Sequence, residues 1–151
     1  MATPTTQSIC IHDNNARLTL ELLRRQYPDN EDYWDGNWVV TRFQATAPGF
    51  QADFTEGVHL QELVWLREEL AKMHATLEGR IEWKAMDGFL ELVAEVDRLG
   101  HIRWTVKLIY PAGVGARLTL EIANDQTYLP ALLNQIDAAL EAFPLRGQPN
   151  G

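Results

Sequence analysis

The sequence predicts an α+β fold: a mainly antiparallel sheet of about eight strands in the order ββββα-ββββα, with two amphipathic helices covering sheet faces. Three observations predict it. Apolar residues alternate with period two through short runs, and recur at three- and four-residue steps through two longer ones. The connections inside each group of short runs are also too short for anything but antiparallel neighbours. At 151 residues the chain holds one domain with a sizeable core, expected over residues 8–144. Residues 1–7 and 145–151 are polar and contain Gly or Pro, and are expected as flexible tails.

The first strand is expected over residues 8–12, and Asp13-Asn14-Asn15 is a turn signal. Residues 17–22 (Arg-Leu-Thr-Leu-Glu-Leu) put their leucines on one sheet face, and Tyr27-Pro28-Asp29-Asn30 breaks that strand. Residues 38–47 are rich in Val, Thr and Phe and read as a strand. Pro48-Gly49 turns the chain, and residues 50–55 return it. Leu60, Leu63, Leu66, Leu70, Met73 and Leu77 then form one helical stripe, with Glu62, Arg67, Glu68, Glu69 and Lys72 on the other face. Gly79 is the expected stop.

Four further strands are expected at 80–84, 89–96, 101–110 and 117–122, joined by Met86-Asp87-Gly88, Leu99-Gly100 and Pro111-Ala112-Gly113. The last helix is expected from about Thr127 to Ala142. Asp125 or Thr127 caps it, Pro130 falls in its first turn, and Leu129, Leu132, Leu133, Ile136, Leu140 and Phe143 form its buried stripe. Arg-Leu-Thr-Leu-Glu occurs at 17–21 and again at 117–121, in strands that hold unequal places in the two groups. It reads as two strands meeting the same alternation rule rather than a duplication.

Between the second and third strands lies the segment furthest from what a helix or strand needs. Residues 29–38 carry Asp29, Glu31, Asp32 and Asp35 with Tyr33, Trp34 and Trp38, and no basic residue. Half of the formal net charge of −8 sits there. Carboxylates this crowded repel, so a fold keeps them together only where water or a cationic partner offsets the cost. The aromatics are expected to plug the end of the core, and the carboxylates to face water or a basic partner. Asp29, Glu31, Asp32, Tyr33, Trp34 and Asp35 are the candidate partner-binding residues. Trp65, Trp83 and Trp104 lack this company and are expected in the core.

The acidic balance argues against nucleic acid or an anionic membrane surface as a partner, because both draw affinity from clustered Lys and Arg. No apolar run is long enough to span a bilayer. No secretory leader is visible at the N-terminus, so the expected location is the cytoplasm. The single cysteine, Cys10, is expected as a buried thiol between Ile9 and Ile11. His12, His59, His74 and His101 are scattered, and His59 with Glu62 reads as a helix-surface pair rather than a metal site. The acidic segment does not fit a calcium loop, because Tyr33 and Trp34 fall where ligands belong. No nucleophile elbow, phosphate loop or dinucleotide fingerprint occurs, so no catalytic residue, metal or cofactor is expected.

Three stretches together carry a family resemblance: Tyr27-Pro-Asp-x-x-Asp-Tyr-Trp-Asp-Gly-Asn-Trp38, the helix ending Leu77-Glu78-Gly79, and Asp125-Gln-Thr-Tyr-Leu-Pro130 with Phe143-Pro144 closing the last helix. In this order they resemble WapI-type immunity proteins of bacteria and related proteins of unknown function, over residues 10–144. The resemblance implies a cytoplasmic, non-enzymatic protein that neutralises the toxin domain of a contact-dependent toxin, often a nuclease. Two other readings of the acidic loop stay open at this level: a small-ligand or metal-binding protein, and a homo-oligomeric structural protein packing the loop against a second copy.

Overall fold

Period-two alternation in this chain builds two separate four-stranded antiparallel meanders, each followed by a helix. The computed structural model describes residues 7–149. The first sheet has the order β1 (Gln7–His12), β2 (Arg17–Arg25), β3 (Trp38–Ala47), β4 (Phe50–His59), and leads into helix α1 (Leu60–Thr76). The second has the order β5 (Arg80–Lys84), β6 (Leu90–Val96), β7 (His101–Tyr110), β8 (Ala116–Asp125). A short 3-10 turn (Gln126–Tyr128) then opens helix α2 (Leu129–Ala142). The expected order is therefore present, and the eight strands form two sheets, a division that the sequence leaves open.

The inward faces are those the alternation marks. Ile102, Trp104, Val106 and Leu108 of β7 are buried, while His101, Arg103 and Lys107 between them face water. Leu18, Leu20 and Leu22 do the same in β2. Both sheets and both helices contribute to one apolar cluster. The sheets lean on each other through aromatic rings: Phe43 packs edge-on against Phe89 at 4.9 Å, and Phe54 stacks on Tyr110 at 4.7 Å. Such ring pairs add to the area they bury.

Helix α2 seals the open edge of β1. Gln135 Oε1 accepts the Cys10 backbone N–H at 2.8 Å, and the Tyr128 hydroxyl donates to the Cys10 carbonyl. The Cys10 backbone groups are thereby no longer free to pair with another chain. The far end of β1 is tied to β8, where Asn124 Nδ2 donates to the His12 carbonyl and Asp13 accepts from the Ala123 N–H. Arg67 of α1 and Asp137 of α2 pair at 2.9 Å.

Several expectations are corrected. Helix α1 ends at Leu77, which takes a left-handed conformation (φ 54°) and returns its N–H to the Met73 carbonyl; Gly79 comes after the stop. β2, β4 and β8 run longer than their alternation, since neighbouring strands supply paired backbone beyond the apolar runs. In β4 the pairing continues through Gly57 to His59, opposite Val40 and Trp38. Cys10 is half-buried rather than buried, because it points away from Ile9 and Ile11 at the sheet edge. Trp65 is 39% exposed, while Trp83 and Trp104 are buried as expected.

The expected tails are only partly within view. Residues 1–6 and 150–151 lie outside the described residues. Gln7 pairs with Leu22 in the first sheet. Arg146, within the stretch expected as a tail, is hydrogen-bonded through both its backbone and its side chain.

Candidate functional site

The acidic segment is a folded loop whose shape comes from its own backbone and from residues outside it. Asn30 N–H bonds to the Tyr27 carbonyl, and Gly36 N–H to the Asp32 carbonyl. The Asp32 carboxylate accepts the Asp35 N–H at 2.9 Å and opens a 3-10 turn at Asp35–Asn37. Gly36 is required by close approach: a Cβ there would sit 2.6 Å from the Asn30 carbonyl oxygen.

Asn37 is the hub. It is fully buried, its Nδ2 donates to the carbonyls of Tyr33 (2.7 Å) and Arg146 (2.9 Å), and its Oδ1 accepts the Arg146 N–H (2.8 Å). Two guanidinium groups complete the frame. Arg25 donates to the carbonyls of Gly36 and Pro144, both at 2.6 Å, and Arg146 to those of Pro28 and Asn30 at 2.8 and 2.9 Å. Burial, with the nearby Arg146 charge, pushes the Arg25 guanidinium below its usual value. The side chain still stays charged at any ordinary pH.

Every one of those arginine bonds goes to a carbonyl. Asp29, Glu31, Asp32 and Asp35 are all exposed, and none makes an ion pair among the described residues. The aromatics divide. Tyr33 and Trp38 are half-buried around His59, with ring centroids 5.2 and 5.1 Å away, whereas Trp34 is 55% exposed. Tyr33 and Trp38 thus pack half-buried on the buried His59 ring, while Trp34 does not plug the core as expected.

His59 joins this loop to helix α1. Its Nδ1 accepts the Gln61 N–H as the helix cap, so its Nε2 carries the proton and donates to the Tyr33 carbonyl at 3.1 Å. Burial lowers its pKa, and the Tyr33 and Trp34 backbone only partly opposes this. The ring is a neutral structural post rather than half of a surface pair with Glu62.

Beside Trp34 opens a groove of about 380 Å³, lined by Tyr33, Trp34 and His59 from the loop side, Glu62 and Trp65 from α1, and Trp83, Lys84 and Met86 from β5 and the turn after it. The sequence brought only Tyr33 and Trp34 into view as site residues. Trp65, standing off the helix stripe, was the available sign of the rest. A larger cleft of about 800 Å³ lies between Asp13 and the edge of the second sheet. Two of its carboxylates are already engaged: Asp13 accepts from Asn15, Ala16 and Ala123, and Asp97 from Leu99 and His101.

Among the described residues no three His, Cys, Asp or Glu side chains group as a metal site would require, and no helix is long and apolar enough to cross a membrane.

A family model described as the immunity protein WapI-like family matches residues 9–144. No curated protein matches the chain. Three solved structures are similar in chain trace. The Trypanosoma brucei MRP1/MRP2 structure is 10% identical, with 93% of this chain and 86% of that one covered at a TM-score of 0.49. The plant transcriptional regulator PBF-2 is 10% identical, covering 99% and 92% at 0.48. WHY1 from Arabidopsis thaliana is 12% identical, covering 95% and 88% at 0.49.

Proposed function

The chain belongs to the immunity protein WapI-like family, and on that premise we propose that it is a non-enzymatic cytoplasmic protein that binds and neutralises a toxin domain with a basic face, such as a nuclease. The contact surface in this reading is the loop of Asp29, Glu31, Asp32, Tyr33, Trp34 and Asp35. One observation carries it: the loop is held by carbonyl-directed bonds from Arg25, Arg146 and Asn37, which leaves its carboxylates exposed and without ion pairs among the described residues. A preorganised anionic rim around an exposed tryptophan suits fast, salt-sensitive capture of a basic protein. The same charge disfavours nucleic acid as the partner.

The test is to titrate the full chain with the toxin domain encoded beside it, at low and moderate salt. Asp29→Asn/Glu31→Gln is expected to slow association about tenfold and to weaken its salt dependence, while the melting temperature stays put. Absence of binding at low salt overturns the immunity partner. Binding that ignores both salt and the two substitutions overturns the acidic contact surface. If Trp34→Ala instead changes the mass of the protein alone in solution, the loop serves self-association.

A further inference from the structure

The groove next to the loop has polar atoms that the fold does not use. Glu62 Oε1 accepts the Met86 N–H at 2.8 Å, but Glu62 Oε2 is buried with no hydrogen-bond partner among the described residues. Trp83 is only 3% exposed, and its indole Nε1–H is likewise buried and unpartnered. Leaving such groups unmade is costly, so two of them on residues that line one groove call for an explanation. The other lining charges are taken: Glu82 pairs with Lys84 at 3.4 Å and with Arg80 at 3.2 Å. Burial and the Asp87 charge push the Glu62 carboxyl up, against the pull of the Met86 and His59 backbone N–H groups.

The walls are aromatic and open. Trp34, Trp65 and Met86 are exposed together on this one groove. An aromatic lining with one free carboxylate oxygen attracts an organic cation, since the rings stabilise positive charge and the carboxylate accepts its N–H. The free Trp83 N–H asks in addition for an acceptor, which a bare cation lacks and a peptide carbonyl supplies.

We propose that this groove receives a basic side chain, arginine or lysine, of the protein partner, with its cationic head on Glu62 Oε2 and the aromatic lining, and a carbonyl on Trp83 Nε1. The proposal rests on the binding reading above and names the chemistry of its central contact. The loop carboxylates would steer a basic face, and the groove would anchor one residue of it.

The experiment needs no toxin, so its failure is separate from failure of that reading. The full chain is titrated with N-acetyl-arginine amide and N-acetyl-lysine amide, with N-acetyl-citrulline amide as the neutral control. The tryptophan indole N–H signals are followed by NMR. The Trp83 signal is expected to shift saturably with at least one cationic probe, and at least about tenfold more weakly with citrulline. The Trp104 signal stays still, because its Nε1 is already bonded to Asn124 Oδ1 at 2.7 Å. Glu62→Gln and Trp34→Ala each weaken the cationic probe about tenfold without loss of the folded spectrum. No Trp83 shift with either cationic probe, equal binding of citrulline, or indifference to Glu62→Gln overturns the proposal.

Discussion

Replacing Asn37 by alanine tests whether the loop is held as described. The side chain makes three hydrogen bonds, to the Tyr33 carbonyl and to both backbone groups of Arg146. A typical internal bond contributes about 1 kcal/mol net, so losing all three sets a scale of about 3 kcal/mol. Tyr33 keeps one partner in His59 Nε2, and Arg146 is only half-buried, so water recovers part of the loss. The expected cost is therefore about 2 kcal/mol, or a fall in melting temperature of about 4–8 °C for a chain of this length. Urea unfolding measures the global part. Amide exchange at Arg146, whose N–H bonds to Asn37 Oδ1, measures the local part. Asn37→Asp sharpens the test, because it keeps the acceptor but sets a carboxylate against two carbonyls, and should cost more than alanine. A loss below about 0.5 kcal/mol with unchanged exchange at Arg146 would refute the hub.

Four further outcomes are expected. Because the His59 pKa is lowered from 6.5, its contribution to stability is complete above that value and declines as pH falls below it; His59→Asn, which keeps a cap acceptor, should flatten that slope in urea titrations at successive pH values. The raised Glu62 pKa has the opposite sign, a penalty that appears as pH rises above 4.5, so Glu62→Gln should raise the melting temperature at pH 7 and lose that advantage in acid. Gly36→Ala should destabilise by about 1–3 kcal/mol in chemical unfolding, since its Cβ meets the Asn30 carbonyl oxygen at 2.6 Å. Tyr128, half-buried with its hydroxyl on the Cys10 carbonyl, has its pKa pushed up to about 12 and should give a late step in an alkaline absorbance titration; Tyr128→Phe should remove that step and cost about 1 kcal/mol.

The parts of this fold visible in sequence are those set by neighbours along the chain. Strand β7 alternates buried and exposed almost without fault, and α1 buries the five residues Leu60, Leu63, Leu66, Leu70 and Met73 of its stripe. What was not visible depends on partners far away. Arg146 reaches Pro28 and Asn30 through their carbonyls, and a carbonyl acceptor leaves no mark on residue type. The groove is built from three separated segments, and its unpartnered groups, Glu62 Oε2 and Trp83 Nε1, belong to residues that sequence alone places on a helix surface and in a core strand. The division into two sheets is similarly a matter of where β4 and β5 go, with α1 between them.

The folded acidic loop raises the question of whether it is a structural element or a contact surface. The bonding shows that different atoms of the same segment can serve both ends. Main-chain carbonyls at Pro28, Asn30, Tyr33 and Gly36 take the arginine, histidine and asparagine donors that fix the shape. Had Arg25 or Arg146 paired with Asp29 or Glu31 instead, the loop would be held by its charges and would have fewer left to offer. Because the guanidinium groups bind backbone, the positive charge beneath also lowers the cost of crowding four carboxylates above it. The framework therefore rests on Gly36, Asn37, Arg25 and Arg146, with the Asp32 carboxylate on the Asp35 N–H, while Asp29 and Glu31 are expected to be replaceable without unfolding. For the proposed contact surface, substitutions at Asp29 and Glu31 are therefore expected to change binding strength independently of stability.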